Sequence, residues 1–348
     1  MMTPAGTVTT RTSKSPTLNG RRWRVLLLGL VAVALWVLPA QLLESPYYLR
    51  LITFAWINAV IALGLNMAVG VTGQINLGQA ALVGVSAYVT AMLIRLAGWA
   101  WLPSAVVGVA AAVSTGMALG WVSNRLRGPY LAIVTLGANV VFQLLLFNEV
   151  DLTGGPMGLR VSAPQVFGTR VSAPAVYMIV FGCLVLLYVL CRLVYHSKLG
   201  RNFRATRDDE TVARIMGINT VRAKVQACML CGLCAGLGGV LFLLSYRFIA
   251  PAEFAPTQSF RYLAMVVIGG LGNLPGAVLG ALVVTLVPEF LRMWPGLWDV
   301  VLGSSILVVL LLFPKGLGFI SEYLGALLSK KSVEQRWTGE IGSTGGAG

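Results

Sequence analysis

Charge is scarce in this chain, and its absences exclude whole classes of function. Only 11% of the 348 residues are charged, against about a quarter in a soluble globular domain. No charged side chain occurs from Leu51 to Ile94, from Gly128 to Asn148 or from Val225 to Tyr246. A proton-driven carrier needs an Asp, Glu or His within the membrane to take the proton, so this lack argues against proton coupling; sodium coupling through backbone carbonyls stays open. There is one histidine, His196, placed at a span end as an interfacial residue. No H-E-x-x-H and no membrane-buried carboxylate pair is present, so the chain does not read as an enzyme. It also lacks G-x-x-x-x-G-K-[ST], which excludes ATP binding through a P-loop. Among the five cysteines, Cys228-x-x-Cys231-x-x-Cys234 has iron–sulfur spacing. A cluster would want a fourth thiolate nearby, and Ala235-Gly236-Leu237-Gly238 follows instead. These cysteines, with Gly232, Gly236 and Gly239, read as small residues on a helix–helix face. Cys183 and Cys191 read the same way, with no disulfide framework and no metal site.

What the chain has in quantity is apolar length: 57% of it is hydrophobic, in runs of about 20 residues that suffice to cross a bilayer. Ten membrane segments are expected, at 25–43, 48–71, 75–96, 102–124, 130–148, 174–195, 225–246, 259–271, 275–291 and 299–314. The fold class is all-α integral membrane, a polytopic bundle. Its parts are a basic tail over 1–24, a transmembrane domain over 25–314 and a largely disordered tail over 315–348. The formal charge of +14 records topology rather than nucleic-acid binding. Arg11, Lys14, Arg21, Arg22 and Arg24 precede the first span, and seven more cations lie between His196 and Lys224. Lys and Arg mark cytoplasmic loops, so both termini and the 196–224 loop are expected inside and the loops at 149–172 and 247–259 outside. Leu38-Pro39-Ala40 is a poor cleavage site, so the first span is expected to be retained.

Two segments do not read as plain helices. Gly64–Gly84, GLNMAVGVTGQINLGQAALVG, combines glycines with four amides, Asn66, Gln74, Asn76 and Gln79. Segment 259–271 provides only about 20 Å of helix and runs into Gly269-Gly270-Leu271-Gly272-Asn273-Leu274-Pro275-Gly276. Broken backbone at membrane depth is tolerated where protein buries it or water lines it, and paired interruptions point to a translocation path. Asn76-Leu77-x-x-Ala80 and Asn273-Leu274-x-x-Ala277 share a faint repeat. The candidate path residues are Asn66, Gly70, Gly73, Gln74, Asn76, Gly78, Gln79, Gly269, Gly270, Gly272, Asn273 and Gly276. Gly84 belongs with them as a close-packing position. The amides either line a wet path or only bond neighbouring helices.

The 196–224 loop carries the remaining signal. Thr206-Arg207-Asp208-Asp209 offers a capping box. Glu210–Met216 is expected as a short helix with Val212, Ile215 and Met216 on one stripe and Gly217 as its stop. Such a helix suits a partner's groove or, flanked as it is by basic residues, the lipid headgroups.

Five blocks together resemble the LivM-type permeases, the integral membrane subunits of ABC importers for branched-chain amino acids. They are Gly64–Gly84, Arg125–Leu136 (RLRGPYLAIVTL), Leu152–Leu159 (LTGGPMGL), Gly200–Asn219 (GRNFRATRDDETVARIMGIN) and Val266–Ala281 (VVIGGLGNLPGAVLGA). The likeness covers roughly 25–320. Gln79 stands where the family usually has His, Asn76 where it often has Ser, and Pro275-Gly276-Ala277 departs from the usual run. The resemblance implies a bacterial inner-membrane importer of five parts: this permease, a LivH-type permease, two ATPases and an external binding protein. ATP and magnesium would be used by the ATPases, with no cofactor in this chain. Arg204, Asp208, Asp209, Glu210, Ala213, Met216 and Gly217 would form the coupling element that docks on an ATPase, and the outer loops would face the binding protein. Permeases for urea, short amides and aromatic acids are similar at this level. A stand-alone sodium-coupled carrier or channel is the more distant alternative.

Overall fold

The computed structural model describes residues 46–124, 129–162, 165–166 and 169–291. The expected spans at 25–43 and 299–314, both tails and residues 125–128 at the start of the Arg125–Leu136 block lie outside the described residues. The other eight expected segments are helical. α1 is Pro46–Leu65 and continues as a π-helical turn over Asn66–Val71. α2 is Gln79–Leu96, α3 Trp101–Val122, α4 Pro129–Asn148 and α5 Ala173–His196. Two short helices follow, α6 Lys198–Asp208 and α7 Glu210–Ile215. α8 is Thr220–Tyr246, α9 Pro256–Gly269 and α10 Leu274–Leu291. Among the described residues six helices are long and apolar enough to cross a membrane, and Leu274–Glu289 forms a shorter apolar one. α2 begins four residues later than expected, because Thr72–Gly78 is unwound. α8 begins five residues earlier, because Asn219 Oδ1 accepts from the Arg222 N–H at 2.9 Å and starts the helix before the apolar run does.

α1 and α8 form the centre of the bundle. α8 lies against α3 through residues too small to hold the backbones apart: Ser104, Gly108, Ala112, Gly116 and Gly120 make a buried stripe at four-residue spacing on α3. A Cβ on Gly116 would fall 2.6 Å from the Cys228 carbonyl oxygen, and one on Gly232 2.6 Å from that of Ala112. This is the small-residue packing that brings membrane helices together. Cys228, Cys231 and Cys234 are all buried on α8; Cys228 takes part in this contact, and Cys234 lies against Gly64 of α1.

The chain ends of these helices fall into two groups. At one end, strand β1 (Leu159–Arg160) pairs antiparallel with β4 (Phe248–Ile249), Trp101 Nε1 donates to the Ser162 carbonyl and Arg247 Nη2 to the Val171 carbonyl. A second hairpin joins β2 (Gln165–Val166) to β3 (Thr169–Arg170) within the same loop. The two loops expected outside are therefore tied to each other. At the opposite end lie α6, α7 and both helix breaks.

Candidate functional site: two helix breaks and the short helices beneath them

The first break begins inside α1. Its last turn widens to π geometry, which leaves backbone groups without ordinary helical partners; such turns recur at functional sites. Gly73 then takes φ +76°, and the chain runs without regular structure to Gly78. Its freed N–H groups are met by side chains of α4 and α9 and by one of its own. Leu77 donates to Thr135 Oγ1 (3.0 Å), Gly78 to Asn76 Oδ1 (2.8 Å) and Ala80 to Ser259 Oγ (3.0 Å). Ser259 also accepts from Asn139 Nδ2 at 3.0 Å. In the second break Gly270 and Gly272 have φ +101° and +84°, and Asn273 Oδ1 accepts from the Gly276 N–H at 3.0 Å to start α10. Asn76 and Asn273 thus cap by different spacings, two and three residues ahead.

Asn66 joins the two breaks. Its Oδ1 accepts from the Gly272 N–H (2.8 Å) and its Nδ2 donates to the Asn273 carbonyl (3.0 Å). Gly70 faces the same place: a Cβ there would lie 2.3 Å from the Gly272 nitrogen, so only glycine permits the contact. Gly269 packs equally close on Gly276, where a Cβ would meet the carbonyl at 2.3 Å. The other amides are buried and bonded to helices. Gln74 Nε2 donates to the Lys224 carbonyl (3.2 Å), and its Oε1 accepts from Cys228 Sγ (3.3 Å). Gln79 Oε1 accepts from Cys231 Sγ (2.9 Å), and its Nε2 reaches the Ile61 carbonyl (3.4 Å). Asn76 Nδ2 lies 3.9 Å from Cys231 Sγ. Cys228 and Cys231 of α8 are therefore hydrogen-bonding neighbours of the first break. Its exposed positions are Gly73 and Ile75, and that of the second break is Leu271.

The short helices reach this junction from below. Ser197 Oγ caps α6 at the Leu199 N–H (3.1 Å). Arg204 braces it against the end of α5, donating to the Tyr195 carbonyl (3.1 Å) with its guanidinium carbon 4.5 Å from the Tyr195 ring centre. Arg207, which is not among the candidate residues, donates through Nη1 to the Gly70 carbonyl. A Cβ on Gly73 would lie 3.0 Å from its Cγ and one on Gly272 3.3 Å from its Nη1. One α6 side chain therefore touches both breaks. Within the sequence the only trace of this is an arginine two residues before the Asp209 cap.

The expected capping box is corrected in one respect. Thr206 lies inside α6 and donates to the Asn202 carbonyl (2.8 Å). Asp209 itself caps α7, its Oδ1 accepting from Thr211 N–H (2.7 Å) and Val212 N–H (3.0 Å). The chain turns at Asp209, whose extended φ of −156° leaves Asp208 as the exposed last residue of α6. Gly217 (φ +81°) ends α7, with Ile218 N–H bonded to the Ala213 carbonyl, a Schellman closure. Glu210 pairs with Lys224 of α8 at 2.8 Å and with Arg214. Burial would raise the Glu210 pKa, but hydrogen bonds and charge from Lys224, then Arg214, outweigh it and hold the carboxyl below its ordinary value. Ala213 is 3% exposed, whereas Val212, Ile215 and Met216 are 49%, 77% and 75% exposed. Inward contacts thus fix α7, and an apolar stripe is left facing outward.

The family model described as "Branched-chain amino acid transport system / permease component" matches residues 47–311. The high-affinity branched-chain amino acid transport system permease protein LivM of Escherichia coli (strain K12) is 32% identical over 294 residues, 76% of this chain and 68% of that protein. The corresponding LivH of the same strain is 26% identical over 295 residues, covering 76% of this chain and 92% of that protein. The autoinducer 2 import system permease protein LsrC of Salmonella paratyphi B is 27% identical over 301 residues, covering 82% and 84%. No solved structure matches the chain. With the family model spanning most of the sequence, the two glycine-rich breaks and the short helices beneath them are features of a transport permease: the chain belongs to the family of branched-chain amino acid transport system permease components.

Proposed function

We propose that this chain is one of two related permeases of an ATP-driven importer in a bacterial inner membrane, and that it forms half of the path for branched-chain or related hydrophobic amino acids. An external binding protein delivers the solute to the β1–β4 end, and two ATPases act on the α6–α7 end from the cytoplasm. The single observation carrying this reading is the junction in which Arg207 of α6 holds Gly70 while Asn66 holds Gly272 and Asn273. A displacement of α6 and α7 is thereby delivered to both breaks at once. The exposed stripe of Val212, Ile215 and Met216, positioned by Asp209, Glu210, Ala213 and Gly217, is the docking surface for an ATPase. The path follows the open side of the breaks, past Gly73, Ile75 and Leu271. Asn66 and Asn76 hold that side open by occupying backbone groups that unwinding frees, while Gln74 and Gln79 tie the first break to α8 and α1.

The similarity to an autoinducer 2 permease supports a second cargo class, other small polar solutes, for the same machinery. Calorimetry on the cognate binding protein separates the two: the reading predicts saturable binding of leucine, isoleucine or valine. Binding of urea, short amides or a sugar-like solute, with none of these amino acids, would overturn the cargo assignment. Gln74→Leu or Asn76→Leu should lower uptake in the assembled importer with ATPase docking intact. Unchanged uptake would remove these amides from the path.

A further inference from the structure

At the β1–β4 end, away from the helix breaks, a cavity of about 550 Å³ is lined by Phe54 of α1, Phe242 and Tyr246 of α8, Arg160, Val161, Arg247, Phe248 and Glu253. Its walls combine three kinds of surface. Phe54 and Phe242 lie with ring centres 6.3 Å apart, and Phe242 and Tyr246 4.8 Å apart, forming one aromatic wall. Arg160, held over the Phe248 ring at 5.9 Å by the β1–β4 pairing, and Arg247 supply positive charge. Arg247 uses one Nη2 bond on the Val171 carbonyl, which leaves most of its donors free. Glu253 supplies the negative charge. Glu253 forms no ion pair within 4 Å with Arg160 or Arg247, so unlike charges line one cavity without direct contact. An adjoining cavity of about 400 Å³, lined partly by Arg50, shares Tyr246 and Arg247.

Unlike charges held apart across an aromatic wall fit a ligand that carries both signs on one apolar body. The volume lies within the ordinary range for small-molecule sites. An aromatic face takes an aliphatic side chain or attracts an ammonium, and an arginine fork matches a carboxylate. We propose that this cavity is an entry site for a zwitterionic α-amino acid with an apolar side chain, its carboxylate on Arg160 and Arg247 and its ammonium on Glu253. The inference rests on the permease reading and adds to it a binding step before the path. Such a site gives this chain selectivity of its own, in addition to that of the binding protein.

The test uses the complete importer in lipid nanodiscs without binding protein. Radiolabelled L-leucine is titrated, with 4-methylpentanoate (leucine without its ammonium) and 3-methylbutylamine (leucine without its carboxylate) as competitors. Leucine should bind saturably at millimolar concentration, and each competitor roughly tenfold more weakly, the scale of one charge-assisted contact. Glu253→Gln should weaken leucine and 3-methylbutylamine but not 4-methylpentanoate; Arg160→Gln should weaken leucine and 4-methylpentanoate but not the amine. Both residues are exposed, so the variants are expected to fold, and ATP-driven uptake by the wild-type complex is followed in parallel in proteoliposomes supplied with the binding protein. Wild-type uptake without saturable leucine binding, or binding indifferent to both variants, overturns the cavity assignment and leaves the permease reading standing. If the variants instead weaken only the docking of the binding protein, the charges serve a protein interface and the proposal fails. No ATP-driven uptake at all would contradict the permease reading itself.

Discussion

Replacing Arg207 separates motor from gate. The Arg207 bond to the Gly70 carbonyl is charge-assisted and partly exposed, which places its contribution near the low end for such bonds, about 1–2 kcal/mol. That amount shifts the balance between joined and separated arrangements of α6 and the breaks by roughly 5–30-fold. The docking stripe on α7 does not depend on Arg207, because Asp209, Ala213 and Gly217 hold it. In proteoliposomes containing the whole importer, Arg207→Ala should therefore keep substrate-stimulated ATP hydrolysis within about twofold of wild type, a change under 0.5 kcal/mol. Transport per ATP should fall by roughly 5–30-fold. Arg207→Lys, which keeps one charged donor, should fall between the two. A merely structural arginine would lower hydrolysis and uptake together. A parallel fall, or an unchanged ratio in Arg207→Ala, refutes the strut.

Four further outcomes follow from the same contacts. Asn66→Leu removes both bonds across the breaks; at the typical scale of polar contacts between membrane helices this is about 1–3 kcal/mol, read as a lowered thermal midpoint in detergent. Gly70→Ala places a methyl against Gly272 and should destabilise by about 1–3 kcal/mol as overpacking, with loss of uptake. Ile215→Asp on the exposed stripe should leave the fold intact and abolish co-purification of the ATPases. The Glu210 carboxyl is held below its ordinary value by Lys224 and Arg214 against the effect of burial. Its stabilisation is thus complete above the unfolded value of about 4.3 and is lost as pH falls through the lower folded value. Hydrogen exchange in α7 should rise on acidification below that point, and Glu210→Gln should remove the dependence.

The spans were legible because about 20 apolar residues without charge leave few alternatives. Positions 174–195 and 130–148 were placed within a residue of α5 and α4 for that reason. The breaks were legible as glycine clusters, since Gly73, Gly270 and Gly272 all adopt positive φ. What each amide bonds was not legible: Asn66 meets Gly272 across 206 residues of chain, and no local pattern encodes such a partner. The π turn at Asn66–Val71 was hidden too, because its composition matches that of the α-helix before it. Thr206 and Asp209 both satisfy cap chemistry, and tertiary placement of α6 against α5 decided between them. Arg207 and Lys224 looked like topology charges, whereas the fold uses one on Gly70 and the other on Glu210.

The most direct test of the account is uphill flux. This chain and its partner permease are reconstituted with and without the two ATPases, and labelled leucine accumulation is followed with the binding protein outside and ATP inside. Accumulation above the equilibrium level only when both ATPases and ATP are present is the predicted result. Uphill accumulation by the permeases alone, driven by a sodium gradient, would contradict the account.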